Sequence, residues 1–326
     1  MEPIWKDYLV DLGTASLATG AAFSIVDEGD SVTIFSGRAY PKVDSGHVYI
    51  RINDICAEYM NNELFDTAGV SLTRTFSVYV GATKVDEVTF YNDWSYDFSF
   101  VPERDGFAFP IVRTFAKWQY IPITALAAVT ATITDADGTQ HTLQVPTSLG
   151  ADFNDDFNLD FLIEAVAYGG AGLLDMRAFP NAVRVEMGGK TWTASKACPR
   201  YVLYYKNAHG GWDALPLEGR PTRADAVTRH SLDRSYDNNN PTNRGRANWL
   251  NEIRPTWEVR TGWLNAEQSR MMHHPLNSTS AFLHDMETGQ VDAVVLTNST
   301  TEYKETPGML YAYTLEVSLA QDRIRR

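Results

Sequence analysis

The chain has little cysteine and no long apolar run. Its two cysteines, Cys56 and Cys198, lie far apart in the 326 residues, so a disulfide framework is excluded. Apolar neighbours favour a buried, reduced thiol at both positions, with a bridge between them as the alternative. No apolar run approaches the ~18 residues that span a membrane, and the N-terminus lacks the basic and apolar segments of a secretory signal. We therefore expect no membrane association.

Positive charge is also scarce. The sequence has 28 Lys and Arg against 41 Asp and Glu, a net charge of −13 that is spread along the chain. This distribution argues against nucleic acid as a partner and for solubility before assembly. The exception is the C-terminal cluster of Arg323, Arg325 and Arg326, which is more typical of a solvated end or of contact with a neighbouring chain.

Signatures of nucleotide binding and hydrolysis are missing. The Gly-dense tract 169–172 lacks the Lys-Ser/Thr ending of a phosphate loop, and we interpret it as a turn. The chain has no Gly-x-Ser-x-Gly elbow, and no motif singles out a carboxylate pair for glycoside hydrolysis. A polysaccharide-degrading enzyme therefore ranks third among the functions considered, and no catalytic or cofactor-binding residue is predicted.

Two patterns suggest metal ligands, and each fails on a detail. Residues 152–160 alternate oxygen ligands as a calcium loop does, but Phe157 replaces the required Gly and Ile163 the closing Glu. His273 and His274 are adjacent, so helical geometry directs them apart, and a position near a helix C-terminus accounts for them. We predict no metal site.

What the chain has is β-sheet composition. Aromatic residues make up 12% of it, accompanied by short runs of Val, Thr and Ile that pack well on a pleated surface. Hairpins are predicted over 22–35 and over 127–145, where Asp137-Gly138 suits a tight turn. Further strands are predicted over 70–80, 85–91 and 107–112, and Asn53 or Asp54 is expected to cap a short helix over 55–60.

The predicted fold is mainly β. Two tandem β-sandwich-like domains, 1–114 and 115–206, precede an α+β domain, 207–326, with a mostly antiparallel sheet and a long polar arm. The polar region that starts at residue 207 and continues through residue 246 predicts a loop or an extended arm. In the last domain we predict a helix with a capping box formed by Asn265 and Gln268. The final strand is predicted to have one apolar face, made by Tyr311, Tyr313, Leu315 and Val317, and one mixed face.

The tryptophans allow two interpretations. Trp212, Trp257 and Trp263 are predicted to anchor the core of the last domain, whereas Trp94 and Trp212 could instead stack on sugars. Gly210 and Gly211 are predicted to form the turn that ends the strand 201–205, with a positive φ expected at Gly211.

An ordered series of segments resembles proteins encoded by phages and prophages of Bacteroides-type gut bacteria. The segments are 4–8, 35–41, 50–56, 201–213, 248–253, 261–264, 268–269 and 320–325. The resemblance covers nearly the whole chain and implies a virion protein associated with the tail or baseplate, made in the host cytoplasm. It brings no catalytic residues with it.

From this resemblance we expect a non-enzymatic component of a tailed phage, located in the tail, the baseplate or the head–tail connecting ring. Its partners would be other virion proteins and copies of itself. The contact residues predicted for assembly are Asn238, Asn239, Asn240, Arg244 and Arg246 in the arm, and Arg323, Arg325 and Arg326 at the C-terminus. The alternative is a carbohydrate- or receptor-binding module that uses Trp94 and Trp212 on a host surface glycan.

Overall fold

The protein is mainly β. The computed structural model describes residues 1–60, 72–94, 99, 101, 106–145, 170–233, 246–298, 303–305, 310–320 and 324–325. Within these ranges, no helix has both the length and the apolar content to cross a membrane. Contacts divide the chain into two compact units: unit 1 holds 1–194 and 206–213, and unit 2 holds 195–205 and 214–326.

The N-terminal part of unit 1 is built around a five-stranded sheet. Its elements are β1 (Glu2–Pro3), β2 (Leu9–Ala15), β3 (Ala21–Asp27), β4 (Val32–Ala39), β5 (Gly46–Arg51), α1 (Asn53–Tyr59), β6 (Thr73–Val80) and β7 (Thr83–Tyr91). The strand order is β1-β7-β6-β3-β4, and β2 pairs separately with β5. All these pairs are antiparallel except β1 with β7.

Alternating side chains of these strands form one core. Ile25, Phe76 and Phe90 are fully buried in it, and Cys56 of α1 packs against them. The hairpin predicted over 22–35 is confirmed by the pairing of β3 with β4. The short helix predicted here is also confirmed, but the predicted cap is wrong: Asn53 and Asp54 lie inside the helix, and Ile52 occupies the N-cap without supplying a side-chain hydrogen bond.

The rest of unit 1 forms a second core. Its elements are β8 (Thr114–Phe115), β9 (Tyr120–Ala125), β10 (Val129–Asp135), β11 (Gln140–Val145), β12 (Gly170–Asp175), the 3₁₀ turn η1 (Met176–Ala178), β13 (Ala182–Met187) and β14 (Lys190–Ala194). One sheet has the order β11-β10-β13-β14-β8, and β12 pairs with β9. The predicted hairpin is present as β10 and β11, and its turn holds Gly138 at φ +87°.

Two predictions in unit 1 are wrong. Residues 170–172 lie in β12, which pairs with β9, so they do not form a turn. Small residues can occupy a strand when the neighbouring strand supplies partners for their backbone hydrogen bonds. The segment 107–112 is not a strand. Its backbone forms hydrogen bonds outside a sheet: the Phe109 N–H, for example, donates to the Asp213 carboxylate.

Unit 2 is built around one large, mostly antiparallel sheet. Its elements are β15 (Tyr201–Lys206), β16 (Trp212–Leu217), β17 (Thr222–Asp233), β18 (Arg246–Arg260), α2 (Ala266–Arg270), α3 (His273–Leu276), β19 (Ala281–Asp285), β20 (Val291–Leu296), β21 (Tyr303–Glu305), β22 (Tyr311–Leu319) and β23 (Ile324–Arg325). The last residue of β15 and the first two of β16 group with unit 1. The main order is β16-β15-β19-β20-β22-β18-β17. In addition, β21 pairs with β22, and β23 pairs with β18.

Several local predictions in this part are confirmed. Asn265 and Gln268 form the complete capping box of α2, and Leu315 and Val317 of β22 are fully buried. The polar stretch predicted as a loop from residue 207 onward is wrong in part. Its residues 212–217 and 222–233 are strands, because backbone pairing with β15 and β18 overrides their low β propensity.

The division into domains 1–114, 115–206 and 207–326 stays a prediction. The calcium-like segment 152–160 lies outside the described residues. The two cysteines are free thiols, but only Cys56 is buried; the prediction of burial is wrong for Cys198, which is exposed. Burial raises the pKa of the Cys56 thiol to about 12, and the nearby Asp27 carboxylate adds to the shift.

Candidate functional site

The two tryptophans predicted to stack on sugars lie in opposite environments. The Trp94 side chain is 41% exposed, and its indole N–H donates to Asn92 Oδ1 at 2.9 Å. Trp212 is 0% exposed, in a strand whose residues are all buried, so it offers no ring face to a sugar. Its burial agrees with the core position that was the other interpretation of Trp212.

Beneath Trp94 lies a set of buried polar residues, which we term the turn cluster: Asn92, Asp93, Lys206, Asn207, His209 and Asp213. The Lys206 ammonium donates to Asn92 Oδ1 at 3.1 Å. His209 Nδ1 lies 3.3 Å from Asp93 Oδ1. The sequence did not predict this Asp–His pair, because the two residues are far apart in the chain.

Asn207 organises the turn between β15 and β16. Its amide nitrogen donates to the Phe107 carbonyl at 2.7 Å and to Asp213 Oδ2 at 2.8 Å. Its amide oxygen accepts from the backbone N–H groups of His209 and Gly211, each at 3.0 Å. One side chain thus fixes both the internal geometry of the turn and its contact with the segment at Phe107.

Asp213 is fully enclosed, and burial raises the pKa of its carboxyl to about 6. Hydrogen bonds from Asn207 and from the Phe109 N–H oppose that shift, as do the charges of Lys190 and His209. Burial also lowers the pKa of Lys190, whose ammonium lies 4.9 Å from the centre of the Phe109 ring. Within the described residues, the polar groups of the turn cluster bind one another and the backbone, an arrangement that holds a turn in place.

The two glycines of the turn have different roles, which corrects the expected positive φ at Gly211. Gly210 is the residue with positive φ, +84°, whereas Gly211 is not left-handed. A Cβ at Gly210 would overlap the backbone of Asn92, and one at Gly211 would lie 2.8 Å from the Phe107 carbonyl carbon. Close backbone approach on both sides therefore requires glycine at both positions.

A separate open cleft of about 340 Å³ lies within unit 2, and Trp263 forms part of its wall. Trp263 was predicted to be a core residue, but its side chain is 56% exposed because it follows the end of β18; Trp257, in the strand, is buried as predicted. Arg220, Arg260 and Glu218 also line the cleft.

Backbone contacts hold the cleft together. The Gly219 N–H donates to the Arg260 carbonyl at 3.2 Å, and the Thr261 N–H donates to the Tyr313 carbonyl at 3.0 Å. At Gly262 a Cβ would lie 3.1 Å from Cδ of Glu218, so the absence of a side chain lets the carboxylate lie against the backbone. An exposed indole next to a carboxylate and two guanidinium groups provides the stacking surface and the hydrogen-bonding groups that sugars require.

The edge of the large sheet is a third candidate. Among the strands that the structure describes, β17 is the last in the order, and it pairs along its whole length with β18. β22, the next strand, pairs with β18 over residues 256–260, and β23 pairs with it at 251 and 252. Among the described strands, the distal part of this hairpin is therefore a narrow ribbon. β17 ends at residue 233, and β18 begins at residue 246.

The residues predicted for assembly fall on β18, on β23 or outside the described residues. Asn238, Asn239, Asn240, Arg244, Arg323 and Arg326 lie outside them, and Arg246 and Arg325 are described in their backbone alone. Arg246 begins β18, and Arg325 of β23 is paired with Asn251 of the same strand. The backbone therefore brings the C-terminal segment onto the strand that follows the predicted arm.

Metal binding and known relatives give no further assignment. In the described part of the chain, no three His, Cys, Asp or Glu side chains are grouped as metal ligands would be. His273 Nδ1 lies 2.7 Å from the Arg270 carbonyl, which fits the predicted position at a helix C-terminus. No protein-family model and no curated protein matches the chain in sequence comparisons.

Proposed function

We propose that the chain is a non-enzymatic structural component of a tailed-phage virion, placed in the tail, the baseplate or the head–tail connecting ring. The tandem β-sandwich arrangement of the first two domains belongs to this proposal. It rests on the sequence resemblance and on one structural observation, the long β17–β18 hairpin at the edge of the large sheet.

The hairpin supports assembly for a physical reason. A two-stranded ribbon is marginally stable alone in water and gains stability when another surface covers it. Every described side chain of β17 is exposed or half-buried, including Val227 at 41% and Leu232 at 51%. Edge strands that carry apolar groups in this way are templates for contact with another chain.

The test is mass spectrometry of intact particles of the phage that encodes the chain, purified by density gradient and washed in high salt. We expect the protein at several copies per particle, at a constant ratio to the major tail protein across the gradient. An abundant host cytoplasmic protein serves as the control for carry-over. Loss of the protein from washed particles would contradict the proposal.

Glycan binding is the second candidate, and the Trp263 cleft favours it. We place the sugar there because the indole is exposed beside Glu218, Arg220 and Arg260. Trp263→Ala should abolish binding on a glycan array, whereas Trp118→Ala, which removes an indole that is 59% exposed but lies elsewhere, should not. Trp94→Ala tests the platform predicted from the sequence. Equal binding by all these variants and the unmodified protein would exclude both platforms.

A further inference from the structure

The outer edge of β17 has the properties of a strand that pairs with another copy of itself. Its register with β18 shifts between His230 and Ser231, where the extra residue, Trp249, lies on β18. β17 therefore keeps an uninterrupted alternation over its twelve residues. The next question is whether its side chains are compatible with a second β17.

A two-fold axis restricts how two copies of a strand can pair. The axis stands perpendicular to the sheet, so the strands run antiparallel and residues equally distant from the axis lie opposite each other on the same face. With the axis at Val227, Asp225 faces Arg229 of the second copy, and Arg229 faces its Asp225. Val227, which is half exposed, faces Val227.

Two-fold axes at neighbouring residues give less favourable side-chain pairs than the axis at Val227. An axis at residue 226 sets Arg223 against Arg229, and an axis at residue 228 sets Arg229 against Val227. Axes at 225 and 229 set Asp225 and Arg229, respectively, against themselves. Like charges directly opposite each other destabilise a sheet, whereas opposite charges and apolar pairs stabilise it.

We infer that two copies of the chain join by antiparallel pairing of their β17 strands about a two-fold axis at Val227, extending the large sheet across the dimer. This pairing would bond the outward backbone groups of the edge, bury Val227 against its counterpart and form two Asp225–Arg229 ion pairs. The inference deepens the proposed function and rests on its premise of assembly in several copies, because it names how two copies meet.

One local contact competes with the pairing. Arg223 Nε lies 3.4 Å from Asp225 Oδ1 in the same strand, and the Arg223 guanidinium lies 5.7 Å from the Trp257 ring centre. Both members of that ion pair are well exposed, so it is worth little in water. The second carboxylate oxygen of Asp225 can accept from Arg229 of the other copy without displacing Arg223.

Charge exchange tests the register by sedimentation velocity at 0.15 M salt. We expect the unmodified protein to form a dimer. Asp225→Arg and Arg229→Asp should each weaken association by about thirtyfold or more, because each variant turns both ion pairs into pairs of like charges. An equimolar mixture of these two variants should form a heterodimer, since every pair again joins opposite charges. The double variant should restore the homodimer.

Glu287→Arg makes the same charge change as Asp225→Arg, in the exposed turn after β19, and should leave the dimer intact. A second readout uses Cys198→Ser as background: Val227→Cys should crosslink two copies upon oxidation, whereas Ser231→Cys, which faces Arg223, should not.

Three results would overturn the inference: a monomer at all concentrations, a dimer that neither charge variant weakens, or a mixture that associates no better than each variant alone. Because these measurements use purified protein, their failure would leave the presence of the chain in virions to be decided by mass spectrometry of particles.

Discussion

Gly210 and Gly211 lie between two stretches of backbone, and steric exclusion accounts for more of their role than conformational freedom does. A side chain at either position would meet main-chain atoms of Asn92 or Phe107, which cannot rotate away as a side-chain end can. Asn207 then fixes the approach by donating to the Phe107 carbonyl. The turn is therefore sensitive to added volume.

Gly211→Ala should lower the free energy of unfolding by about 3 kcal/mol, because its Cβ would overlap the Phe107 carbonyl group. Gly81→Ala is the matched control: Gly81 has φ +62° but open space around a new Cβ, so about 1 kcal/mol of backbone strain is expected. Urea denaturation of both variants measures the difference. Equal losses would show that steric exclusion at Gly211 is unimportant.

Asp213 should make stability depend on pH in the direction opposite to most carboxylates. Its pKa is about 6 in the folded protein, above the ordinary value of 3.8, so between these values the folded state binds more protons than the unfolded state. The free energy of unfolding contributed by Asp213 therefore falls as pH rises from about 4 to 6, then levels off.

Urea denaturation at pH 5 and pH 7 checks this contribution. Asp213→Asn should be less stable at both pH values, because its amide nitrogen cannot accept from the Asn207 amide, and the component that titrates near pH 6 should disappear. Asp137→Asn, at an exposed hairpin turn, is the control and should keep that component. A variant with the pH dependence of the unmodified protein would refute the raised pKa of Asp213.

At the scale of elements, local chemistry was predictable and long-range pairing was not. The Asp137-Gly138 turn and the Asn265 capping box follow from neighbouring residues, and both are present. The 222–233 strand carries charged and small residues with weak β propensity, and its partner β18 begins only at residue 246. Such a strand is specified by its partner, so its own sequence indicated a loop.

The same limit applies to the candidate sites. Asp93 and His209 are brought together by the fold alone, and the exposure of Trp263 follows from where β18 ends. The sequence indicated the aromatic residues but not which of them is covered. Burial of Trp212 agrees with the core position predicted for it and excludes the sugar-stacking alternative, whereas the exposure of Trp263 contradicts the core position predicted for that residue.

The capping box of α2 can be tested by one substitution. Asn265→Ala removes the bond from the Gln268 N–H to Asn265 Oδ1, 2.9 Å long, and should lower the free energy of unfolding by about 1 kcal/mol. Glu267→Ala changes a residue in the same first turn that is not part of the capping box, and should lower the free energy of unfolding by only a few tenths of that amount. Urea denaturation distinguishes the two; equal effects would indicate that the cap contributes no more than the helix charge.

For the whole molecule, net charge opposes association. Each copy carries −13, and this repulsion acts over about 30 Å at 10 mM salt but only about 8 Å at 0.15 M. The exposed ion pairs inferred at the β17 edge contribute at most about 1 kcal/mol each. At low salt the global repulsion should exceed these local attractions.

The inferred dimer should therefore tighten when salt is raised from 10 mM to 0.15 M, by tenfold or more, in sedimentation equilibrium. Further addition to 1 M should give little gain, because the repulsion is already screened while the ion pairs weaken. The heterodimer of the two charge variants, which carries the same total charge, is the control and should follow the same curve. Steady weakening from the lowest salt upward would show that local ion pairs dominate.

Residues 206–213 group with unit 1, although the chain on both sides of them groups with unit 2. This interleaving of the two units along the chain limits which recombinant proteins can fold. Recombination between two related genes after residue 194 would join residues 1–194 of one protein to the Asn207–Asp213 segment of the other. That turn would then have to fit a Phe107 carbonyl beside which it did not evolve. The parts of the gene that encode the two units are thus expected to diverge together.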